Sequence, residues 1–222
     1  MAEEYKNYFE PEEYKYIDEE IYTKSHHSNI LGRAFHQMRF KTTRELVRKY
    51  YIPGQKVIDI CCGLCEWNTK NIKVVGLDLN KNTLNLAKKL GRISEIIIQN
   101  GLDTNLKKNS FDIIVNTGAL EHIKYPSEQL KELKRILKDD GILILGVPYD
   151  TFFSLWRPLF WARCFIHGRI KGSKYFLKQG GHINKFSPKS LIGLLRSHDF
   201  KIIEIVDDYK LFLTIVAKKV ER

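Results

Sequence analysis

The stretch Val57-Ile58-Asp59-Ile60-Cys61-Cys62-Gly63-Leu64-Cys65-Glu66 reads as a buried β-strand that breaks into a tight turn. The turn is expected to open a helix. Downstream, residues 74–77, 95–98, 111–116 and 142–147 repeat the same kind of short, β-branched run. Between them, residues 82–90 place Leu84, Ala87 and Leu90 at helical spacing, and residues 127–137 do the same with Leu130, Leu133, Ile136 and Leu137. Strands alternating with amphipathic helices mark a parallel α/β sheet. Gly91 and Gly141 fall where left-handed helix caps are wanted, and Ser127, after Pro126, is the expected N-cap. Upstream, residues 35–51 read as a helix with Phe35, Met38, Thr42, Leu46 and Tyr50 roughly on one face.

Beyond Ser187-Pro188, residues 189–198 read as one more helix through Leu191, Leu194 and Leu195, followed by strands 201–206 and 211–217. Only Asp207-Asp208-Tyr209-Lys210 separates these strands, too few residues for a crossover helix. They are therefore expected to pair as an antiparallel hairpin at the end of the parallel sheet.

A chain of 222 residues, 43% hydrophobic, fills one α/β core. No repeat or low-complexity segment interrupts it. Three of its four cysteines lie within residues 61–65, so they cannot lay out a disulfide framework. The longest apolar runs, such as Ile142-Leu143-Ile144-Leu145, are strand-sized, far short of the roughly 18 to 20 residues that span a bilayer. Secreted and membrane-spanning proteins are thereby disfavoured, and a cytoplasmic location is expected. The net charge of +11 points to an anionic partner. It is unevenly placed: residues 1–20 carry eight acids and four tyrosines, which reads as an arm or lid over residues 1–34, whereas residues 151–198 carry nine Lys or Arg and no acid.

The turn after the first strand, together with Val75-Gly76-Leu77-Asp78, Phe111-Asp112-Ile113-Ile114-Val115-Asn116, Leu120-Glu121-His122-Ile123 and the passage from Leu133 to Leu143, resembles the class I S-adenosylmethionine-dependent methyltransferases. The resemblance covers residues 55–148, and more loosely 180–218. It implies a Rossmann-like, seven-stranded, mostly parallel sheet with helices on both faces and a C-terminal antiparallel hairpin. It also implies S-adenosyl-L-methionine as cofactor. Carried over position by position, Asp59 is expected to orient the methionine amino group, Gly63 to give close backbone approach, Cys61 to stand at a cofactor-binding position, and Asp78, with neighbouring Leu79, to hold the ribose. Asn100 and Gly101 take the adenine position, with Asp103 as rival for Asn100, and Asn116 lines the cofactor mouth. The family's strand ends D-x-G-C-G-x-G; here Cys61 and Cys65 replace the first and third glycines, adding bulk where positive φ or close approach is needed.

Other readings of these residues stay open. Cys62-Gly63-Leu64-Cys65 is a C-x-x-C, compatible with a redox pair or, with Cys61, a metal or cluster site; the plainer reading is that small apolar cysteines fill glycine or alanine positions. A structural zinc lacks its fourth ligand, because Cys164 is remote in sequence and nothing in the spacing of His26-His27 recruits them, so no metal is expected. His122 and His182 are the two candidate catalytic residues, each weighed against a structural role. In residues 152–176 aromatics alternate with cations. Phe152, Leu155, Trp156, Leu159 and Phe160 read as one helical face that packs on the sheet edge, covers a small-molecule or lipid-like acceptor, or lies on anionic membrane. RNA stacking is the further alternative. A non-catalytic scaffold keeping the fold, and a nicotinamide-dependent oxidoreductase, disfavoured because G-x-G-x-x-G is missing, complete the function classes. The oligomeric state is not legible.

Overall fold

Because Val57, Ile58, Asp59 and Ile60 are all buried, the strand they form, β1 (Val57–Ile60), has to lie inside a sheet covered on both faces. The computed structural model describes residues 30–69, 72–172, 174–177 and 182–220. In chain order its elements are α1 (Ile30–Tyr50), β1, β2 (Val74–Asp78), α2 (Lys81–Lys89), β3 (Glu95–Ile98), β4 (Phe111–Thr117), a 3₁₀ turn at Leu120–His122, α3 (Pro126–Ile136) and β5 (Leu137–Pro148). After them come α4 (Trp156–Cys164), a π-helical turn at Phe165–Ile170, α5 (Lys174–Leu177), α6 (Pro188–Ser197), β6 (Phe200–Asp208) and β7 (Phe212–Lys219). The acidic arm up to residue 29, His26-His27 and Gly180-Gly181 lie outside the described residues.

The seven strands are ordered β3-β2-β1-β4-β5-β7-β6. Strands β1 to β5 run parallel, and β7 is antiparallel to both β5 and β6, as the short connection requires. Tyr209 and Lys210 turn the hairpin at positive φ, the twist that suits two antiparallel strands. Side-chain alternation divides the core. Ile58 and Ile60 face one side, with Leu130 and Leu133 of α3 and Leu191 and Leu195 of α6. Val57 faces the other, with Leu46 and Val47 of α1 and Leu84 and Ala87 of α2. Each fully buried Leu or Ile contributes roughly 1.5 to 3 kcal/mol, so helices on both faces are needed to cover a two-sided apolar sheet.

Three local expectations are corrected. No helix follows β1: the described residues 61–69 form turns. Trp67 and Asn68 are drawn inward instead, the indole almost fully buried and the Asn68 amide donating to the carbonyls of Ile72 and Arg92. Gly141 is not a helix cap, since α3 ends at Ile136 and β5 begins at once. A Cβ on Gly141 would fall 2.6 Å from Leu137 Cδ1, so close approach within the strand explains the glycine. Ser127 is not the N-cap of α3 either; Tyr125 takes that place and Pro126 opens the helix, its fixed φ suiting the first turn. Gly91 does cap α2, at φ 71°.

Candidate active site

The strand order reverses direction between β1 and β4, where an open α/β sheet leaves a crevice at its carboxyl edge. The turn that fills this crevice has φ of 56° at Cys61, 49° at Gly63 and 47° at Cys65. Both cysteines thus keep the left-handed backbone that glycine would adopt freely, at about 1 to 2 kcal/mol each. Their bulk is turned aside. Cys61 Sγ points toward Gly101, 3.3 Å from where a Cβ there would stand, Cys62 Sγ lies 3.1 Å from the same point on Gly76, and Cys65 is packed in the core under α1. What remains is a hollow of about 420 Å³, part of it open to solvent, lined by Arg39, Phe40, Asp59, residues 61–67, Thr117 and Gly118. All four cysteines are free, and burial raises the thiols of Cys61, Cys62 and Cys65, keeping them protonated. A redox or thiolate-ligand role finds no support in that environment.

Two carboxylates stand at the hollow. Asp59 accepts from the Trp67 indole N–H at 2.8 Å and is pushed up to about 7, first by burial and further by the charge of Asp78. Asp78, also raised by burial, accepts from the backbone N–H of Gly63 and of Asn80, both at 2.9 Å. These bonds tie the end of β2 to the turn after β1. A carboxylate offers about four lone-pair positions, so Asp78 retains acceptor capacity for a further donor. Across the hollow, the Arg39 guanidinium lies 4.7 Å from the Phe40 ring centroid and 5.6 Å from that of Phe212.

The remaining expected residues are placed unevenly. Leu79 is half-exposed. Asn100 is exposed, with its Oδ1 turned back to accept from Leu102 N, and Asp103 is exposed as well. Gly101 is buried, its carbonyl accepting from Gln129 Nε2 of α3 at 2.9 Å. Asn116 is fully buried behind the hollow, not at its mouth: its amide donates to Ile60 O at 3.0 Å, pinning β4 to the end of β1.

His122 and His182, sixty residues apart, meet edge to face with centroids 4.7 Å apart. The segment that carries His182 is strapped to the 3₁₀ turn, because the N–H groups of Ile183 and Asn184 donate to Glu121 O at 2.9 and 3.0 Å. The His182 ring stacks on Phe160 at 4.6 Å and on Trp156 at 5.9 Å, and Trp156 meets Phe35 of α1 at 4.8 Å. Burial, then the neighbouring His122 and Arg39, hold His182 well below the usual imidazole range, so the ring is neutral. Glu121, buried beside them, is pushed up to about 7 by the same cause. The expected single helical face is divided: Trp156 and Phe160 meet the rings of Phe35 and His182, whereas Phe152 and Leu155, which precede α4, and Leu159 within it are exposed. Sequence reasoning missed Arg39, Trp67 and Glu121 as site residues. Their signals were present, Arg39 four residues beyond Phe35 on α1, Trp67 two past the turn, and Glu121 inside the L-E-H signature, but none reveals alone what it will face.

Residues 58–145 match the family described as methyltransferase domain. The chain is 31% identical over 166 residues to an uncharacterized protein of Methanocaldococcus jannaschii, covering 72% of this chain and 62% of that one. It is 30% identical over 105 residues to a demethylmenaquinone methyltransferase of Bacillus cereus, covering 41% and 44%. It thus spans less than two thirds of the length of these relatives. Among solved structures, it resembles a SAM-dependent methyltransferase of Thermotoga maritima, described as a possible histamine N-methyltransferase, at TM-score 0.61 and 20% identity over 84% of this chain and 91% of that one. A SAM-dependent methyltransferase of Methanosarcina mazei aligns at TM-score 0.58 and 21% identity, over 80% and 98%.

Proposed function

We propose that this chain, whose residues 58–145 match the methyltransferase-domain family, is a class I S-adenosylmethionine-dependent methyltransferase that methylates an apolar, lipid-like acceptor bound against the insertion between β5 and α6. The observation that carries this reading is the ring stack of Phe35, Trp156, Phe160 and His182 beside the hollow at the end of β1. Flat apolar walls that end in two imidazoles suit a ring-bearing molecule with one polar, reactive end. The resemblance of part of the chain to a demethylmenaquinone methyltransferase agrees with such an acceptor.

The donors around the hollow fit the cofactor. A zwitterionic amino-acid end requires an anion for its ammonium and a cation for its carboxylate, and Asp59 and Arg39 both line this cavity. The glycine-like backbone at Cys61, Gly63 and Cys65 keeps the turn shallow, and Asp78 has acceptor capacity for ribose hydroxyls. When bound, the cofactor supplies a methyl group already activated by a sulfonium. Much of the task left to the protein is alignment, with water excluded from the line of transfer. Trp156 and Phe160 hold the acceptor's apolar body, while His122 and His182 stand where its reactive end is oriented.

Access to such an acceptor is favoured at a membrane surface. The same insertion exposes Phe152, Phe153, Leu159, Trp161 and Ile170 next to Arg157, Arg169 and Lys171, a combination that suits peripheral contact with anionic lipid. Among the described residues, no helix is long and apolar enough to cross a membrane. Incubating the protein with S-adenosylmethionine labelled in its methyl group and with separate lipid, small-metabolite, protein and RNA fractions tests the reading. Label is expected in the lipid-soluble fraction. Label confined to RNA or protein would refute it, and failure to bind S-adenosylhomocysteine at all would return the chain to the scaffold reading.

A further inference from the structure

The stack beside the hollow contains a second group of donors. Glu121 and His122 are adjacent on the 3₁₀ turn, and the strap through Ile183 and Asn184 brings His182 to them. One ligand atom from each of the three lies within 4.8 Å of the others, and Glu121 Oε1 stands 3.9 Å from His122 Nε2. Glu121 is 3% exposed, and its Oε2 has no hydrogen-bond partner among the described residues. A buried carboxylate oxygen without a partner costs about 1 to 3 kcal/mol or more, so its retention here asks for a ligand.

We propose that Glu121, His122 and His182 form a site for a divalent transition-metal ion of the zinc type, on the acceptor side of the hollow. Two imidazoles and one carboxylate are a borderline-soft donor set, suited to zinc, cobalt or iron(II) and poorly suited to magnesium or calcium, which take oxygen ligands. Three protein ligands leave one position open, as in metal sites that bind a substrate oxygen. Ligands about 2.0 to 2.1 Å from one ion lie at most about 4.2 Å apart, so the three donors draw together by about half an ångström or more on binding. His122 is partly exposed at the end of the 3₁₀ turn. The stack on Phe160 and Trp156 fixes the plane of His182. Arg39, whose charge acts on both Glu121 and His182, opposes the ion and sets a limit on its affinity. The proposal rests on the methyltransferase reading only for its purpose, holding an oxygen of the acceptor; the site itself stands on its donors.

The test uses the full chain, freed of metal by chelation and titrated calorimetrically with zinc chloride, then with cobalt(II) followed by visible absorption. One equivalent of zinc is expected to bind, magnesium is not expected to compete, and cobalt should give ligand-field bands without a thiolate charge-transfer band. Glu121→Gln and His182→Asn should each weaken zinc binding by at least about tenfold, while leaving S-adenosylhomocysteine affinity within about twofold of the parent. If His182→Asn fails to fold, His122→Asn, at the partly exposed position, supplies the same comparison. No stoichiometric zinc binding, binding unchanged in Glu121→Gln, or a thiolate band from Cys61, Cys62 or Cys65 would overturn the proposal. Because cofactor binding is measured separately, S-adenosylhomocysteine binding without zinc binding overturns only the metal site, and zinc binding without S-adenosylhomocysteine binding overturns only the methyltransferase reading.

Discussion

Replacing Asp59 by Asn should make the cofactor-free protein more stable at alkaline pH while weakening cofactor binding. Burial lifts the Asp59 carboxyl from an ordinary 3.8 to about 7, which at about 1.4 kcal/mol per decade of proton concentration disfavours its ionised form in the folded chain by at most about 4 kcal/mol. The sign follows from which state holds the proton. Below about pH 3.8 both folded and unfolded chains keep it, and Asp59 has no effect. Between there and about pH 7 the unfolded chain releases the proton first, so stability falls as pH rises, and above pH 7 the full penalty remains. The amide of Asp59→Asn cannot ionise, and its oxygen still accepts from the Trp67 indole, which meets the carboxylate at 2.8 Å. Urea denaturation of parent and variant at pH 5 and pH 8 gives the comparison. The variant's advantage should grow with pH, toward a ceiling of about 4 kcal/mol. Glu121, raised in the same way, titrates in both proteins and cancels in the difference. A variant that gains nothing between pH 5 and pH 8, or loses stability, would refute the account of a carboxylate kept at the site against the interests of the fold.

The same ionisation should show in binding. Calorimetric affinity for S-adenosylhomocysteine, whose ammonium favours ionised Asp59, should increase from pH 6 to pH 8, and Asp59→Asn should remove most of that slope; an equal slope in both proteins would point to another group. Asp78→Ala removes the acceptor from Gly63 N–H and Asn80 N–H, so it should lower both stability and cofactor affinity by about 1 to 3 kcal/mol, and unchanged calorimetry would reject its place at the ribose. Cys61→Gly relieves a left-handed φ of 56° but gains unfolded-state entropy, so its stability should stay within about 1 kcal/mol of the parent while cofactor affinity holds or improves. A large loss of affinity would mean that the thiol itself contacts the ligand. Charge reversal at Arg169 and Lys171 should reduce sedimentation with anionic vesicles, and equal binding of variant and parent would remove the membrane from the proposal.

The resemblance read from residues 55–148 and the chain's own periodicity anticipated the same sheet. The four-residue β1 was legible because it is buried on both faces and runs into a turn, and the four-residue β3, a partly exposed strand at the sheet edge, was legible from its run of three isoleucines. The terminal hairpin was legible because four residues cannot cross a sheet. The turn at Cys61 to Cys65 was legible as a site, but its conformation was not: only the hydrogen bond from Gly63 to Asp78 and the packing of Trp67 show that two cysteines are held where glycines would relax. Local pattern also misplaced Gly141 and Ser127, whose roles depend on where β5 begins and how Pro126 opens α3.

What the sequence determined by itself is what depends on near neighbours along the chain: strand and helix periodicity, the closing hairpin, and the order of motifs that marks a methyltransferase domain. Tertiary structure alone decided what depends on distant segments meeting. Arg39 from α1, Glu121 and His122 after β4, and His182 after the insertion share one region only because the sheet brings β4 beside β1 and two backbone bonds strap residues 183 and 184 to the 3₁₀ turn. Burial, and with it the proton affinity of Asp59 and Glu121, is a property of that assembly and of no single stretch of chain.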